Sequence, residues 1–181
     1  MTETNIFYTT GDIQFCTCQT VVVPVNCDGS MEDDIDSIFR RRYPFMFSRY
    51  QYFCKEELLA PGKLWIYSTP TKRKILCFPV GLHDKASYGC VEQGLAKFLE
   101  SYQEKGITSA AFPLFNVPDT SAQDVLGLMS AYLSKCDIPI DIYTEHIPRS
   151  ITLVPLFEKL CGNLTESEIY DIKKKLCFDV D

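Results

Sequence analysis

Val21-Val22-Val23-Pro24-Val25-Asn26-Cys27-Asp28-Gly29-Ser30-Met31 is the stretch on which the fold turns. Its valines, with Pro24 among them, form a β-branched apolar run closed by Asn26, Asp28 and Gly29. That pattern suits a strand buried on both faces and ended by a turn. Downstream, Ile35, Ile38 and Phe39 fall at i, i+3 and i+4, which predicts a helix from about Met31 to Arg42. A buried strand feeding a tight turn and then a helix N-terminus presents backbone N–H groups to an anion. The same turn also occurs without any ligand, and the pattern alone leaves both readings open.

Working outward, Ile6, Phe7 and Tyr8 form a short strand that stops at Thr10-Gly11-Asp12-Ile13. An aspartate in that position accepts a hydrogen bond either from a ligand amine or from the backbone. Phe45, Phe47, Tyr50, Tyr52 and Phe53 make an aromatic stretch of mixed spacing, suited to core packing or to stacking on a ring. Leu64 to Ser68 and Lys74 to Pro79 read as a β-hairpin, and Val80 to Ser87 as a polar loop. Val91, Leu95, Phe98, Leu99 and Tyr102 predict a helix over Tyr88 to Lys105, capped by Gly106. Thr108 to Pro113 is a buried strand, Leu114 to Ser121 a loop, the segment around Val125 to Leu133 a helix, and Ile138 to Tyr143 a last strand. Such alternation predicts an α/β sandwich with a largely parallel or mixed sheet, and ligands in such sheets bind beyond the carboxyl ends of the strands. The loops after Tyr8, Val25, Phe78 and Phe112 are therefore expected around one cleft. Past Thr144 the pattern becomes helical, with Thr165 and Glu168 at capping-box spacing. The expected organisation is one domain over residues 1–145 and a C-terminal helical extension over residues 146–181, packed on the same domain.

Composition narrows the function classes. A chain of 181 residues that is 46% hydrophobic is long enough to bury a real core. Its net charge of −6 argues against a nucleic-acid surface. Arg40 to Arg42 suit the negative end of a helix, and Lys72 to Lys74 suit a hairpin turn. The nine cysteines contain no C-x-x-C pair, and only His83 and His146 could join them, so reduced thiols are expected rather than a disulfide framework or a metal site. No cofactor is implied. With no signal-peptide pattern and no apolar run near the roughly 20 residues of a membrane span, a cytoplasmic location is expected.

Several segments carry a resemblance. Gly11-Asp12-Ile13 follows the first strand, and Val25-Asn26-Cys27-Asp28-Gly29-Ser30-Met31 has the form V-N-C-x-G-x-M. Tyr43-Pro44, Tyr50, Cys54 and Pro61-Gly62-Lys63-Leu64 follow, then Cys77-Phe78-Pro79 and Gly106-Ile107-Thr108-Ser109-Ala110-Ala111-Phe112-Pro113-Leu114. In this order and spacing, from about Phe7 to Glu145, they resemble the macrodomain family, in the branch of the DarG antitoxin and the terminal ADP-ribose protein glycohydrolases. The resemblance implies a three-layer α/β/α sandwich with a mixed, largely parallel sheet. It also implies ADP-ribose or a related adenine nucleotide as ligand. Asp12 would hold the adenine amino group with Ile13 beside it, and Asn26 would lie at the distal ribose. Asp28, Gly29, Ser30, Met31, Val80, Gly81, Leu114, Phe115, Asn116 and Val117 would complete the site.

The chain departs from that family where the chemistry should be. Gly81 stands at the place of the family's catalytic lysine, in Phe78-Pro79-Val80-Gly81-Leu82-His83-Asp84, and has no side chain to act as nucleophile or donor. Lys85, four residues on, is one candidate catalytic group. Asp119, near the position of a second catalytic acid, is another. The first phosphate loop reads Met31-Glu32-Asp33-Asp34-Ile35 instead of M-G-x-G-I. Its acids either stabilise a helix N-terminus or oppose a diphosphate unless a cation lies between. The second loop, Phe115-Asn116-Val117-Pro118-Asp119-Thr120-Ser121, has lost its glycines. These features favour a nucleotide binder without efficient hydrolysis. The alternatives are a protein-interaction module in a toxin or phage-defence setting, and an ADP-ribosyl glycohydrolase acting on modified DNA or protein by an altered mechanism.

Overall fold

The structure, a computed structural model, describes residues 4–32, 34–82 and 85–147. The valine run is strand β2 (Thr20–Asn26), and its alternate side chains enter two separate cores. Val22 packs with Leu76, Phe78, Leu95, Phe98 and Phe112, whereas Val21, Val23 and Val25 pack with Ile13, Met31, Phe39, Met46 and Tyr50. Strand β4 (Lys74–Gly81) alternates in the same way, Leu76, Phe78 and Val80 on one side and Ile75 and Cys77 on the other. A period of two with both sets apolar places a sheet between two layers of helices.

The other strands are β1 (Ile6–Gly11), β3 (Trp65–Ser68), β5 (Ala110–Pro113) and β6 (Ile140–His146). Their spatial order is β1-β6-β5-β2-β4-β3. Every neighbouring pair is parallel except β3 and β4, the expected hairpin. Helices α1 (Asp34–Arg42) and α2 (Pro44–Lys55) supply Phe39, Met46 and Tyr50 to one core, and α3 (Tyr88–Ser101) and α4 (Ala122–Leu133) supply Val91, Leu95, Phe98, Leu128 and Met129 to the other. The expected three-layer α/β/α sandwich with a mixed, largely parallel sheet is the observed architecture.

Local details differ from the sequence reading for identifiable reasons. The aromatic stretch is a helix, α2, with Pro44 in its first turn; Met46 and Tyr50, one turn apart, are buried, while Phe45 and Tyr52 are exposed. Arg40 to Arg42 do lie in the last turn of α1, where Arg40 sits 4.7 Å over the Phe47 ring. Arg73, read as part of a solvated turn, is half-buried and donates to the carbonyl of Gln14 at 2.7 Å. Lys74 reaches across to the turn after α3, its ammonium 2.6 Å from the carbonyls of both Lys105 and Gly106, where Gly106 turns the chain at φ +60°. Asn5 fixes the start of β1 by donating to the carbonyls of Leu133 and Cys136 at 3.0 Å. The described cysteines are free thiols, with Cys18, Cys77 and Cys136 buried.

Among the described residues no helix is long and apolar enough to cross a membrane. Of the expected extension over residues 146–181, His146 ends β6, and the predicted helices and capping box lie outside the described residues.

Candidate functional site

At the carboxyl ends of β2, β4, β5 and β6 a cavity of about 480 Å³ opens, lined among others by Asn26, Glu32, Asp36, Lys85, Asn116 and His146. A smaller one of about 170 Å³ adjoins it through Ile35, Leu114, Phe115, Asn116 and His146. Asn26 is held from below: the fully buried Tyr50 donates its hydroxyl to the Asn26 carbonyl at 2.7 Å. Among the described residues the buried Asn26 side-chain oxygen has no partner, and neither have the two ring nitrogens of His146. Buried polar atoms of this kind cost about 1–3 kcal/mol each when unpaired, so they mark where a polar ligand gains most. Tyr50→Phe removes the hydrogen bond that sets the Asn26 backbone. It is expected to cost roughly 1–2 kcal/mol in a denaturant melt, and a melt unchanged within 0.3 kcal/mol would show that the bond does not hold the loop.

Gly81 is hemmed in by the chain itself. A Cβ built on Gly81 would stand 2.0 Å from the Lys85 carbonyl oxygen and 2.8 Å from its carbon. The return of the loop is fixed by the Ser87 N–H, which donates to the Val80 carbonyl at 2.8 Å. Lys85 is exposed and lines the larger cavity, so of the two catalytic candidates it is the one beside the cleft. Asp119 lines neither cavity; it is exposed, at φ +59°. The Thr120 N–H donates to the Val117 carbonyl at 3.3 Å, closing a turn with Pro118 second and Asp119 third. Asp119 thus takes the left-handed place that a type II turn reserves for glycine.

The remaining expected ligand residues divide into two groups. Asn26, Val80, Leu114, Phe115 and Asn116 line the larger cavity, and Val117 lines the smaller one. The Phe115 ring itself is 3% exposed and stacks on Phe78 with centroids 4.8 Å apart. Asp12, Ile13, Asp28, Gly29, Ser30 and Met31 line neither. Asp12 accepts the Gln14 N–H at 3.0 Å and caps the short 3₁₀ turn Ile13–Phe15, so the backbone alternative is realised there. Ile13 is wholly buried. Asp28 closes an Asx turn on Ser30, accepting its N–H at 2.9 Å and its hydroxyl at 2.8 Å. Gly29 and Met31 both have positive φ, +84° and +111°, and the Met31 side chain is buried beneath the loop.

Sequence reasoning did not place His146, Ile35 or Asp36 at the cleft. His146 arrives there because β6 continues past Tyr143 and pairs with Gly11 at the end of β1. Of the acidic run, Glu32 lines the cavity, so with Asp36 it brings two carboxylates to a site that holds one lysine, Lys85.

No family model matches the chain. It is 31% identical over 146 residues to proteins named DNA ADP-ribosyl glycohydrolase from Mycobacterium bovis and Mycobacterium tuberculosis, covering 76% of this chain and 42% of each relative. It is 28% identical over 178 residues to a DNA ADP-ribosyl transferase–DNA ADP-ribosyl glycohydrolase fusion protein of Thermosipho africanus, covering 84% of this chain and 46% of that relative. The chain therefore spans less than half the length of these curated relatives. Among solved structures, Thermosipho africanus DarTG in complex with ADP-ribose superposes at a TM-score of 0.72 with 28% identity, over 84% of this chain and 45% of that one. The macrodomain of Mycobacterium tuberculosis DarG superposes at 0.70 with 30% identity, over 76% of this chain and 96% of that domain. With nearly the whole of that domain matched and the same three-layer sandwich in place, the chain belongs to the macrodomain family, in its DarG-like branch.

Proposed function

We propose that this macrodomain binds ADP-ribose or a related adenine nucleotide without hydrolysing it efficiently. The observation that carries the reading is Gly81: its Cβ position is filled by the Lys85 carbonyl, beside a cavity where the Asn26 side-chain oxygen and the His146 ring nitrogens have no partner among the described residues. The cleft keeps a nucleotide-sized space and loses the amine. Glu32, on the cavity wall, makes the affinity modest, because its carboxylate repels an anionic ligand. Isothermal titration is expected to show one ADP-ribose site. Absence of heat at millimolar ligand, with folded protein, removes the reading. ADP-ribosylated thymidine DNA is expected to stay intact under conditions in which a DarG macrodomain releases ADP-ribose.

One observation favours a second reading, an ADP-ribosyl glycohydrolase with an altered mechanism: Lys85 lines the cavity. Release of ADP-ribose that is abolished by Lys85→Ala would establish it. The protein partner this proposal assigns is a DNA ADP-ribosyl transferase, the activity named beside the glycohydrolase in the Thermosipho africanus fusion protein, and the setting is cytoplasmic toxin control.

A further inference from the structure

At the amino ends of β4 and β6, across the sheet from the cleft, two sulfurs, a guanidinium and a carboxylate meet. Arg73 Nη2 lies 2.9 Å from Cys16 Sγ, while the same guanidinium donates to the carbonyls of Gln14 at 2.7 Å and Cys16 at 3.3 Å. Cys18 Sγ donates to Asp141 Oδ2 at 3.3 Å. Only Thr17 separates the two cysteines, in a segment outside any helix or strand, and Cys16 is half-buried rather than sealed. Arg73 thus faces a sulfur where a buried arginine ordinarily faces a carboxylate.

We propose that Cys16 and Cys18 form an oxidant-responsive modification site, in which the Cys16 thiolate attacks a hydroperoxide and Cys18 resolves the product to a Cys16–Cys18 disulfide. In the first step an S–O bond forms as the O–O bond breaks, and the departing alkoxide or hydroxide takes a proton from solvent. Cys16 is then a sulfenic acid. In the second, Cys18 Sγ attacks that sulfur, its proton passing to Asp141, and hydroxide leaves and is protonated to water. The two thiols lose two electrons and the hydroperoxide gains them.

Electrostatics distinguish Cys16 from Cys18, Cys27, Cys54, Cys77 and Cys136. The Cys16 pKa is lowered to about 7, chiefly by the neighbouring Cys18 thiol, with the Arg73 charge acting in the same direction against burial. Cys18 is held protonated, its pKa raised first by the Cys16 sulfur beside it and then by burial and Asp141. Burial pushes Cys27 and Cys136 up to about 11 and moves Cys54 and Cys77 in the same direction. Partly exposed thiolates beside arginine are the reactive kind, and buried neutral thiols are inert.

Limiting iodoacetamide at pH 7 on the reduced full chain, read by peptide mass, is expected to label Cys16 roughly tenfold or more faster than Cys27 or Cys136. Hydrogen peroxide should remove two hydrogens from the peptide holding Cys16 and Cys18. In Cys18→Ser, peroxide should instead leave a dimedone-trappable sulfenic acid on Cys16. Arg73→Gln should slow alkylation at pH 7 about fivefold, the difference closing as pH rises past 9; because that variant tests the arginine alone, the native chain and Cys18→Ser decide the outcome should it fail to fold. Labelling of Cys16 no faster than Cys27, or a peroxide-treated chain in which Cys16 and Cys18 remain reduced while other thiols oxidise, overturns the proposal.

Discussion

Gly81→Lys, which supplies the lysine that the sequence resemblance expects here, is expected to lower the melting temperature by roughly 10 °C and to confer no hydrolysis. The obstacle is the Cβ and not the ammonium. That atom would stand 2.0 Å from the Lys85 oxygen and 3.3 Å from the Ala86 Cα, so the conflict is with backbone and no rotamer relieves it. Gly81→Ala should therefore cost nearly as much, about 2–3 kcal/mol in a chemical melt. Relief requires the Lys85 and Ala86 backbone to move, and Lys85 lines the cavity. The pair of variants separates two accounts of this position. If Gly81→Ala melts like the parent while Gly81→Lys hydrolyses ADP-ribosylated DNA, the site has lost a side chain and nothing more. If both are destabilised, the loop has rebuilt itself around the loss.

Phe78→Ala is expected to cost about 3–5 kcal/mol, enough to leave the domain marginal. Phe78 is wholly buried, stacked on Phe115 at 4.8 Å and set edge-on to Phe112 at 6.4 Å. Its ring also abuts α3, where a Cβ on Gly94 would lie 2.3 Å from the Phe78 ring tip. Gly94→Ala alone should destabilise by about 1–3 kcal/mol through overpacking. Combined with Phe78→Ala, however, the added methyl enters space the ring has left, and the double variant should be more stable than the sum of the two losses. Strict additivity in urea melts would mean that α3 and β4 are not packed through this contact. The cleft depends on it, because Phe115 lines the cavity from the opposite side of the same stack.

Sheet, helices and most cleft-forming loops were legible where the pattern is local. The valine run announced a strand with two buried faces, and Val91 to Tyr102 announced α3, because burial there follows a regular period. Helix α2 was obscured because only Met46 and Tyr50 are fully buried while Phe45 and Tyr52 face outward, which blurs the apolar stripe. At the site, Asn26, Val80, Leu114 and Asn116 were found through resemblance, and the structure lines the cavity with them. His146 and Asp36 were missed because their places follow from how β6 and α1 meet the other strands, a tertiary fact. Arg73 misled for the related reason that its charge is answered by carbonyls and a sulfur from a segment some 57 residues away, which no local window contains.

The position of β1 bears on how the protein comes into being. Among the described residues its one neighbour in the sheet is β6, Ile6 pairing with Ile140 and Gly11 with His146. At a synthesis rate of about 5–20 residues per second, β1 therefore waits on the order of ten seconds for β6 to leave the ribosome. Phe7 and Tyr8, more than half exposed even after docking, travel through that interval uncovered. Strand β1 is made well before the strand it pairs with, so a chaperone's shelter would serve it through that wait.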